Sequence, residues 1–183
     1  MVKYNPDIHH RRTIRLKDFD YSSQGWYFLT ICTYKKELFL GIVDNSSITL
    51  SEAGKLVKNY WEEIPKHFPA VSLDEFVIMP NHLHGILRIE NNSKDVGVQY
   101  IEPLKKQQSH KYQQTIPQSI GSIIRVFKAA VTRQCRKNYL DFAWQRSYYE
   151  QIIRSEKQLN AIRGYIISNP QNWERDTEFI KGR

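Results

Sequence analysis

The chain has 183 residues, a formal net charge of +8 and a sequence pI of about 9.4. Its length and its 40% hydrophobic and 25% charged residues predict one globular domain with a buried core. The sequence contains no apolar run of membrane-spanning length, no signal-like start and no CxxC pair. We therefore expect a single domain over residues 1–183, no membrane partner and a cytoplasmic location.

The first half of the chain predicts two strand regions and a helix. Residues 1–24 are polar and predict a basic N-terminal arm, whereas the aromatic and β-branched residues 26–34 predict a strand. Residues 41–50 predict a hairpin with its turn at Asp44-Asn45. Ser51 is placed to cap a helix to about residue 67, and helical spacing predicts its buried stripe: Ala53, Leu56, Val57, Tyr60 and Ile64.

The second half continues this alternation. Residues 76–87 predict two strands around a Pro80-Asn81 turn, and the polar residues 91–117 predict a flexible internal linker. Residues 120–137 predict a helix with one apolar face and with Arg125, Arg133 and Arg136 on its back. A last strand is predicted over 148–154, followed by a helix that begins at Ser155 and that Pro170 should end.

The order of these elements predicts the fold class. Strand, helix, strand, strand, helix, strand and helix indicate an α+β protein, a ferredoxin-like (split βαβ) sandwich. We expect an antiparallel sheet with helices on one face and the active site on the open face.

Two pairs of side chains are candidates for chemistry. His82 and His84 are two residues apart in a predicted strand, so both side chains point to the same face of the sheet. Two imidazoles on one face can bind a divalent metal. The alternative is that both are surface histidines without a metal. Tyr165 and Asn169 lie four residues apart and share one side of a helix. The Asn169 oxygen suits Mg²⁺ or Mn²⁺, although an Asn before Pro also ends helices and a helical Tyr is often packing.

Positive charge is concentrated in two regions. Residues 103–140 contain no Asp or Glu, and His9, His10, Arg11, Arg12, Arg15 and Lys17 lie near the N-terminus. Either cluster could be a solvated face, but the long acid-free segment favours a nucleic-acid partner. The candidates for phosphate contacts are Arg11, Arg12, Arg125, Arg133, Arg136 and Arg146.

Two motifs then resemble a known family. The histidines lie within Met-Pro-Asn-His-Leu-His-Gly, and a second marker runs from Trp-Gln-Arg-Ser-Tyr-Tyr (residues 144–149) through Arg-Gly-Tyr-Ile-Ile-Ser-Asn-Pro (residues 163–170). In this order they resemble the HUH single-tyrosine transposases, most closely the REP-associated tyrosine transposases. The opening Tyr4-Asn5-Pro6 and His9-His10-Arg11-Arg12 extend the resemblance over nearly the whole chain.

The resemblance implies a role for each residue of the two pairs. His82, His84 and Asn169 match the ligands of a divalent metal, Mg²⁺ or Mn²⁺, and Tyr165 matches the nucleophile. The implied enzyme cleaves single-stranded DNA near hairpins through a covalent 5′-phosphotyrosine and frees a 3′ hydroxyl, in DNA transposition or repeat processing. The resemblance leaves open whether the protein is a monomer or a homodimer. It also leaves open whether Tyr165 serves the active site of its own chain or that of a partner.

Two other functions compete with this one. A non-catalytic single-stranded nucleic-acid-binding module on an RRM-like sheet would expose aromatic residues, but Ile86 and Arg88 follow the histidines on the open face instead. A metal-dependent phosphodiesterase using activated water would not need Tyr165. Candidates for stacking on unpaired bases are Trp144, Tyr148 and Tyr149.

Overall fold

The structure, a computed structural model, describes residues 23–90 and 118–179. The predicted linker over residues 91–117 and most of the predicted N-terminal arm, with Arg11 and Arg12, lie outside these ranges. Within the described ranges, no helix is both long enough and apolar enough to traverse a bilayer.

The described residues contain six strands and four α-helices. The strands are β1 (Gly25–Cys32), β2 (Gly41–Asp44), β3 (Ser47–Leu50), β4 (Val71–Met79), β5 (His82–Ile89) and β6 (Tyr149–Ile153). The helices are α1 (Glu52–Glu62), α2 (Ile64–His67), α3 (Ile120–Lys137) and α4 (Glu156–Ser168). Two 3₁₀ segments, Tyr34–Lys36 and Asn169–Arg175, complete the set.

The fold class predicted from the sequence is confirmed. Four strands form an antiparallel sheet in the order β4-β5-β1-β6, and β2 pairs with β3 in a separate hairpin. The sequence β1-α1-β4-β5-α3-β6-α4 is the split βαβ arrangement with one further helix. The hairpin turn lies at Asn45 and Ser46, one residue later than predicted, and both adopt positive φ (46° and 62°).

The main core lies between the sheet and the helices α1 and α3. Ser51 caps α1 by accepting a hydrogen bond from the amide of Gly54, as the sequence predicted. The sheet contributes alternate residues of β1 and β5, and the helices contribute apolar stripes, which together bury Tyr27, Leu29, Ile31, Leu83, Leu87, Val57, Trp61, Ile123, Ile124, Phe127 and Val131. The exposed arginines of α3 therefore point away from the sheet on this side.

The opposite face of the sheet was predicted to be open, and this detail is wrong because α4 lies against it. Phe28 and Ile86 on the sheet pack with Leu159 and Ile166 of α4 in a second, smaller cluster. The physical reason is that the apolar stripe of α4 must be buried, and this face offers apolar side chains to bury it.

An ion pair between α4 and β4 also holds α4 against this face of the sheet. Arg163 donates two hydrogen bonds to the carboxylate of Asp74 on β4, from Nε (2.7 Å) and from Nη2 (2.5 Å). Such a two-point pair fixes orientation as well as position. The helix is thus set against the sheet by packing and by directional hydrogen bonds.

The end of α4 differs from expectation at Asn169. This residue keeps helical geometry (φ −57°, ψ −42°) although it precedes Pro170, and the chain tightens into the 3₁₀ segment. Pro170 sits in the first turn of that segment, where its missing N–H costs no hydrogen bond. Because the chain continues from α4 into this 3₁₀ segment, the residues after α4 stay close to the sheet.

Gly85 of β5 lies against Trp61 of α1 and provides a test of the packing between the sheet and that helix. A Cβ at this position would overlap the indole of Trp61, whereas a Cβ at Gly164 in α4 would meet nothing within 4 Å. We expect Gly85→Ala to lower the free energy of unfolding by about 1–3 kcal/mol through overpacking. The matched control Gly164→Ala should raise it by roughly 0.5–1 kcal/mol, because alanine favours a helix. Urea unfolding measures both, and equal effects would contradict the described packing.

Candidate functional site

The two histidines of β5 lie side by side under α4. Strand pairing places His82 opposite Cys32 and His84 opposite Thr30 of β1. The two rings point to the α4 side with centroids 4.3 Å apart, and their exposed fractions are 0% and 2%. They are therefore not surface histidines, as the alternative reading of the sequence had allowed.

His82 has one satisfied and one unsatisfied ring nitrogen. Its Nδ1 is 2.8 Å from the Oδ1 of Asn81, whereas its Nε2 is buried without a hydrogen-bond partner among the described residues. Burial, with a contribution from the neighbouring His84, lowers the pKa of His82 to about 3. The ring is neutral at physiological pH, and Nε2 is the atom left for a ligand.

His84 connects the sheet to α4. Its Nδ1 is 2.9 Å from the Thr30 hydroxyl, and its ring stacks on Phe28 with centroids 5.3 Å apart. Its Nε2 lies 3.0 Å from the hydroxyl of Tyr165 and 3.6 Å from the Oδ2 of Asp176. The ring of His84 is therefore where Tyr165 of α4 meets the histidine pair of β5.

Tyr165 reaches the histidines of its own chain from α4. Its hydroxyl donates a hydrogen bond of 2.9 Å to the Oδ2 of Asp176, and the residue is 39% exposed. Burial first, and then the hydrogen bond and negative charge of Asp176, raise the pKa of Tyr165 above its ordinary value. The phenol is thus held protonated while it keeps access to solvent.

Asn169 lies one turn after Tyr165 and is buried. Its Nδ2 donates a hydrogen bond of 2.7 Å to the Oδ2 of Asp176, and its Oδ1 is buried with no hydrogen-bond partner in the described chain. An amide oxygen without a donor is costly in a protein interior. The unsatisfied Oδ1 of Asn169 and the unsatisfied Nε2 of His82 are both lone-pair donors.

Asp176 is a candidate ligand that the sequence did not predict. One ligand atom from each of His82, His84 and Asp176 lies within 4.8 Å of the others, so this group could hold a metal ion. Burial alone would raise the pKa of Asp176, but the neighbouring His84 ring and the hydrogen bond from Asn169 hold it well below its usual range. The donor set of imidazoles, carboxylate and amide oxygen fits a divalent cation such as Mn²⁺ or Mg²⁺.

The segment that carries Asp176 also closes one side of the site. Trp173 lies beside His82 with ring centroids 6.0 Å apart. Glu178 pairs with Lys36 at 3.0 Å and accepts a hydrogen bond of 3.2 Å from the Cys32 thiol, whose pKa rises to about 12 through burial and the nearby carboxylate. These contacts anchor the segment to the end of β1.

Those predicted DNA-binding arginines that the structure describes do not join this cluster. Arg133, Arg136 and Arg146 line one groove beside α3, together with Lys128 and Trp144. Arg125 is exposed elsewhere on α3. Since α3 and α4 cover opposite faces of the sheet, the basic groove and the histidines lie on opposite sides of it.

Residues 138–148, between α3 and β6, connect the α3 side of the sheet with the α4 side. Lys128 donates hydrogen bonds to the carbonyl oxygens of Gln145 (2.7 Å) and Ser147 (3.2 Å), and burial lowers the pKa of Lys128 to about 8. Trp144 packs against the main core, whereas Tyr149 is 42% exposed and meets Phe28 edge-on on the α4 side. Of the three stacking candidates, Tyr149 is therefore the one near the histidines.

Comparison with known proteins confirms the resemblance seen in the sequence. An uncharacterized protein of Haemophilus influenzae is 49% identical over 180 residues and 98% of both chains, so the two belong to one family. Another protein of that organism, provisionally named a REP-associated tyrosine transposase, is 23% identical over 155 residues, 82% of this chain and 73% of its own. No family model matches the chain.

One solved structure confirms the fold. A REP-associated tyrosine transposase bound to a REP hairpin superposes with a TM-score of 0.57 at 17% identity, covering 87% of this chain and 74% of its own. The four-stranded antiparallel sheet with its helices is therefore the architecture of that protein.

Cation binding gives a direct test of the donor set. At a Mn²⁺ concentration about 100 times its dissociation constant, we expect the wild-type chain to gain roughly 2.7 kcal/mol of stability, because only the folded chain assembles the site. His82→Ala should lose most of this gain, whereas the control His67→Ala, an exposed histidine at the end of α2, should keep it. Thermal unfolding with and without Mn²⁺ measures the gain, and equal shifts in the two variants would exclude the site.

Proposed function

From the fold that this chain shares with a REP-associated tyrosine transposase, we propose that it is a metal-dependent single-stranded DNA endonuclease and strand transferase whose nucleophile is Tyr165. The observation that carries the proposal is the distance of 3.0 Å between the Tyr165 hydroxyl and the Nε2 of His84. A phenol beside two buried imidazoles and a carboxylate has the parts that phosphoryl transfer needs. The proposed role is DNA transposition or the processing of repeats.

The proposed reaction is an attack by the Tyr165 oxygen on a phosphodiester. A bond forms between that oxygen and the phosphorus, the bond from phosphorus to the 3′ oxygen breaks, and the 3′ oxygen leaves as a hydroxyl. The product is a covalent 5′-phosphotyrosine, which stores the energy of the cleaved bond. Attack by a second DNA 3′ hydroxyl would reverse the chemistry and join two strands without a nucleotide cofactor.

The neighbours of Tyr165 support specific roles in this reaction. The phenol donates its hydrogen bond to Asp176, which orients the hydroxyl. Its proton would pass to the solvent that reaches the exposed side of Tyr165, and the leaving 3′ oxygen would take up a proton from the same solvent. His82, His84, Asp176 and the Oδ1 of Asn169 would hold a divalent cation, which when bound supplies positive charge for the phosphate oxygens. Phe28 and Thr30 keep the His84 ring in place through stacking and a hydrogen bond.

The proposed substrate is single-stranded at the cut and folded into a hairpin beside it. The α4 side leaves the phenol 39% exposed between packed elements, which suits an unpaired strand better than a duplex. Tyr149, on the edge strand β6, presents an aromatic face where an unpaired base could stack. The arginine groove beside α3 would bind the phosphates of the hairpin, with the strand crossing the β6 edge to reach Tyr165.

Replacement of the nucleophile tests the reaction. We expect Tyr165→Phe to abolish the covalent protein–DNA species formed with labelled hairpin oligonucleotides and Mn²⁺, and to keep hairpin affinity within about threefold of wild type, since phosphate contacts dominate affinity. The control Tyr139→Phe removes a hydroxyl from a tyrosine that is 97% exposed, and it should form the adduct normally. Denaturing gels detect the adduct.

The other outcomes of this assay identify the competing functions. Cleavage by Tyr165→Phe at the wild-type rate would indicate a phosphodiesterase that uses activated water. Binding without cleavage by the wild-type protein in Mn²⁺ and in Mg²⁺ would indicate a nucleic-acid-binding module.

The arginine groove is tested by its salt dependence. Arg133→Gln with Arg136→Gln should weaken hairpin binding and lower the slope of log affinity against log salt by roughly two, because each contact releases about one counterion. The control is Lys58→Gln, an exposed lysine of α1 that does not line the groove, and it should leave the slope unchanged. Fluorescence anisotropy at several salt concentrations measures the slope, and an unchanged slope in the double variant would remove the groove from the binding surface.

A further inference from the structure

Asn81 is a buried polar residue that the proposed chemistry does not yet use. It lies in the turn between β4 and β5, directly before His82, and its exposed fraction is 0%. Its Nδ2 donates hydrogen bonds to the backbone carbonyl oxygens of Lys36 (3.3 Å) and Glu178 (2.8 Å). Its Oδ1 faces the Nδ1 of His82 at 2.8 Å.

These contacts fix the orientation of the carboxamide. Carbonyl oxygens can only accept hydrogen bonds, so the two that face Asn81 require its NH₂ group. The side-chain oxygen is therefore the atom turned toward His82, and it too can only accept. It follows that the Nδ1 of His82 carries the hydrogen and that its Nε2, in the neutral ring, presents a bare lone pair to the site.

The other histidine is held differently. The Nδ1 of His84 faces the hydroxyl of Thr30, and a hydroxyl can donate or accept. Thr30 therefore permits either tautomer of His84, whereas Asn81 permits one tautomer of His82. This difference makes Asn81 the more restrictive of the two partners.

The turn itself is fixed in place. The backbone oxygen of Asn81 accepts hydrogen bonds from the amide (2.9 Å) and the hydroxyl (2.9 Å) of Thr33, and the amide of Leu40 donates to the oxygen of Pro80 (2.9 Å). The acceptor that faces His82 is thus attached to a backbone with little freedom to move. A partner of this kind sets both the tautomer and the plane of an imidazole.

We propose that Asn81 is a positioning residue that commits His82 to bind a divalent cation through Nε2. This inference rests on the cation site of the proposed function and adds a residue that the family resemblance does not assign. Asn81 does not touch the cation or the DNA. It acts through the ring of His82.

The tautomer of His82 in the metal-free wild-type protein is the first test. Long-range ¹H–¹⁵N correlation spectra near neutral pH distinguish a ring protonated at Nδ1 from one protonated at Nε2. We expect His82 as the Nδ1–H form, with its signals assigned by their absence from His82→Gln. A ring protonated mainly at Nε2 would overturn the inference, and this result requires no variant of Asn81.

Variants of Asn81 provide the second test. Asn81→Leu keeps the volume but removes the acceptor, so we expect His82 to lose the pure Nδ1–H form and Mn²⁺ affinity to fall about 10–100-fold. Thr30→Val, which faces the other histidine, should leave the His82 tautomer unchanged. Titration calorimetry with Mn²⁺ and the same spectra measure these effects, and an Asn81→Leu protein with wild-type affinity would contradict the proposal.

Failure of this inference is distinguishable from failure of the proposed function. A protein that forms the Tyr165 adduct while His82 is protonated at Nε2 would overturn the role of Asn81 alone. A protein with the Nδ1–H form of His82 and no adduct would overturn the proposed reaction alone.

Discussion

The contact between the Tyr165 hydroxyl and the Nε2 of His84 depends on where α4 lies. Both histidines belong to β5, a central strand of the sheet, and Tyr165 belongs to the last α-helix, 81 residues after His84 in the chain. The small cluster around Phe28 and Ile86, together with the Asp74–Arg163 pair, brings that helix onto the histidine face. Without this docking, the two halves of the site would not meet.

Burial gives the assembled site its electrostatic character. It keeps His82 neutral, with a pKa near 3, and with Asp176 it raises the pKa of the Tyr165 phenol. Both effects oppose charge, so Tyr165 is held as the less reactive phenol. The Nε2 of His82 and the Oδ1 of Asn169 both lack a hydrogen-bond partner among the described residues.

Local patterns in the sequence predicted most of the fold, and long-range contacts account for what they missed. Strand alternation placed His82 and His84 on one face, and helical spacing placed Tyr165 and Asn169 on one side of α4. The position of α4 was missed because a stripe of apolar residues does not specify which face of a sheet buries it. Asp176 was missed because it follows a 3₁₀ turn after Pro170, where no periodicity links it to the histidines.

The central claim is that Tyr165 becomes covalently attached to DNA beside the two histidines. Its most direct test is to digest the protein–DNA adduct with protease and nuclease and to locate the attached nucleotide by mass spectrometry. The account predicts a 5′-phosphoryl nucleotide on the peptide that contains Tyr165 and on no other peptide. Attachment to a different residue, or through a 3′ phosphate, would contradict it.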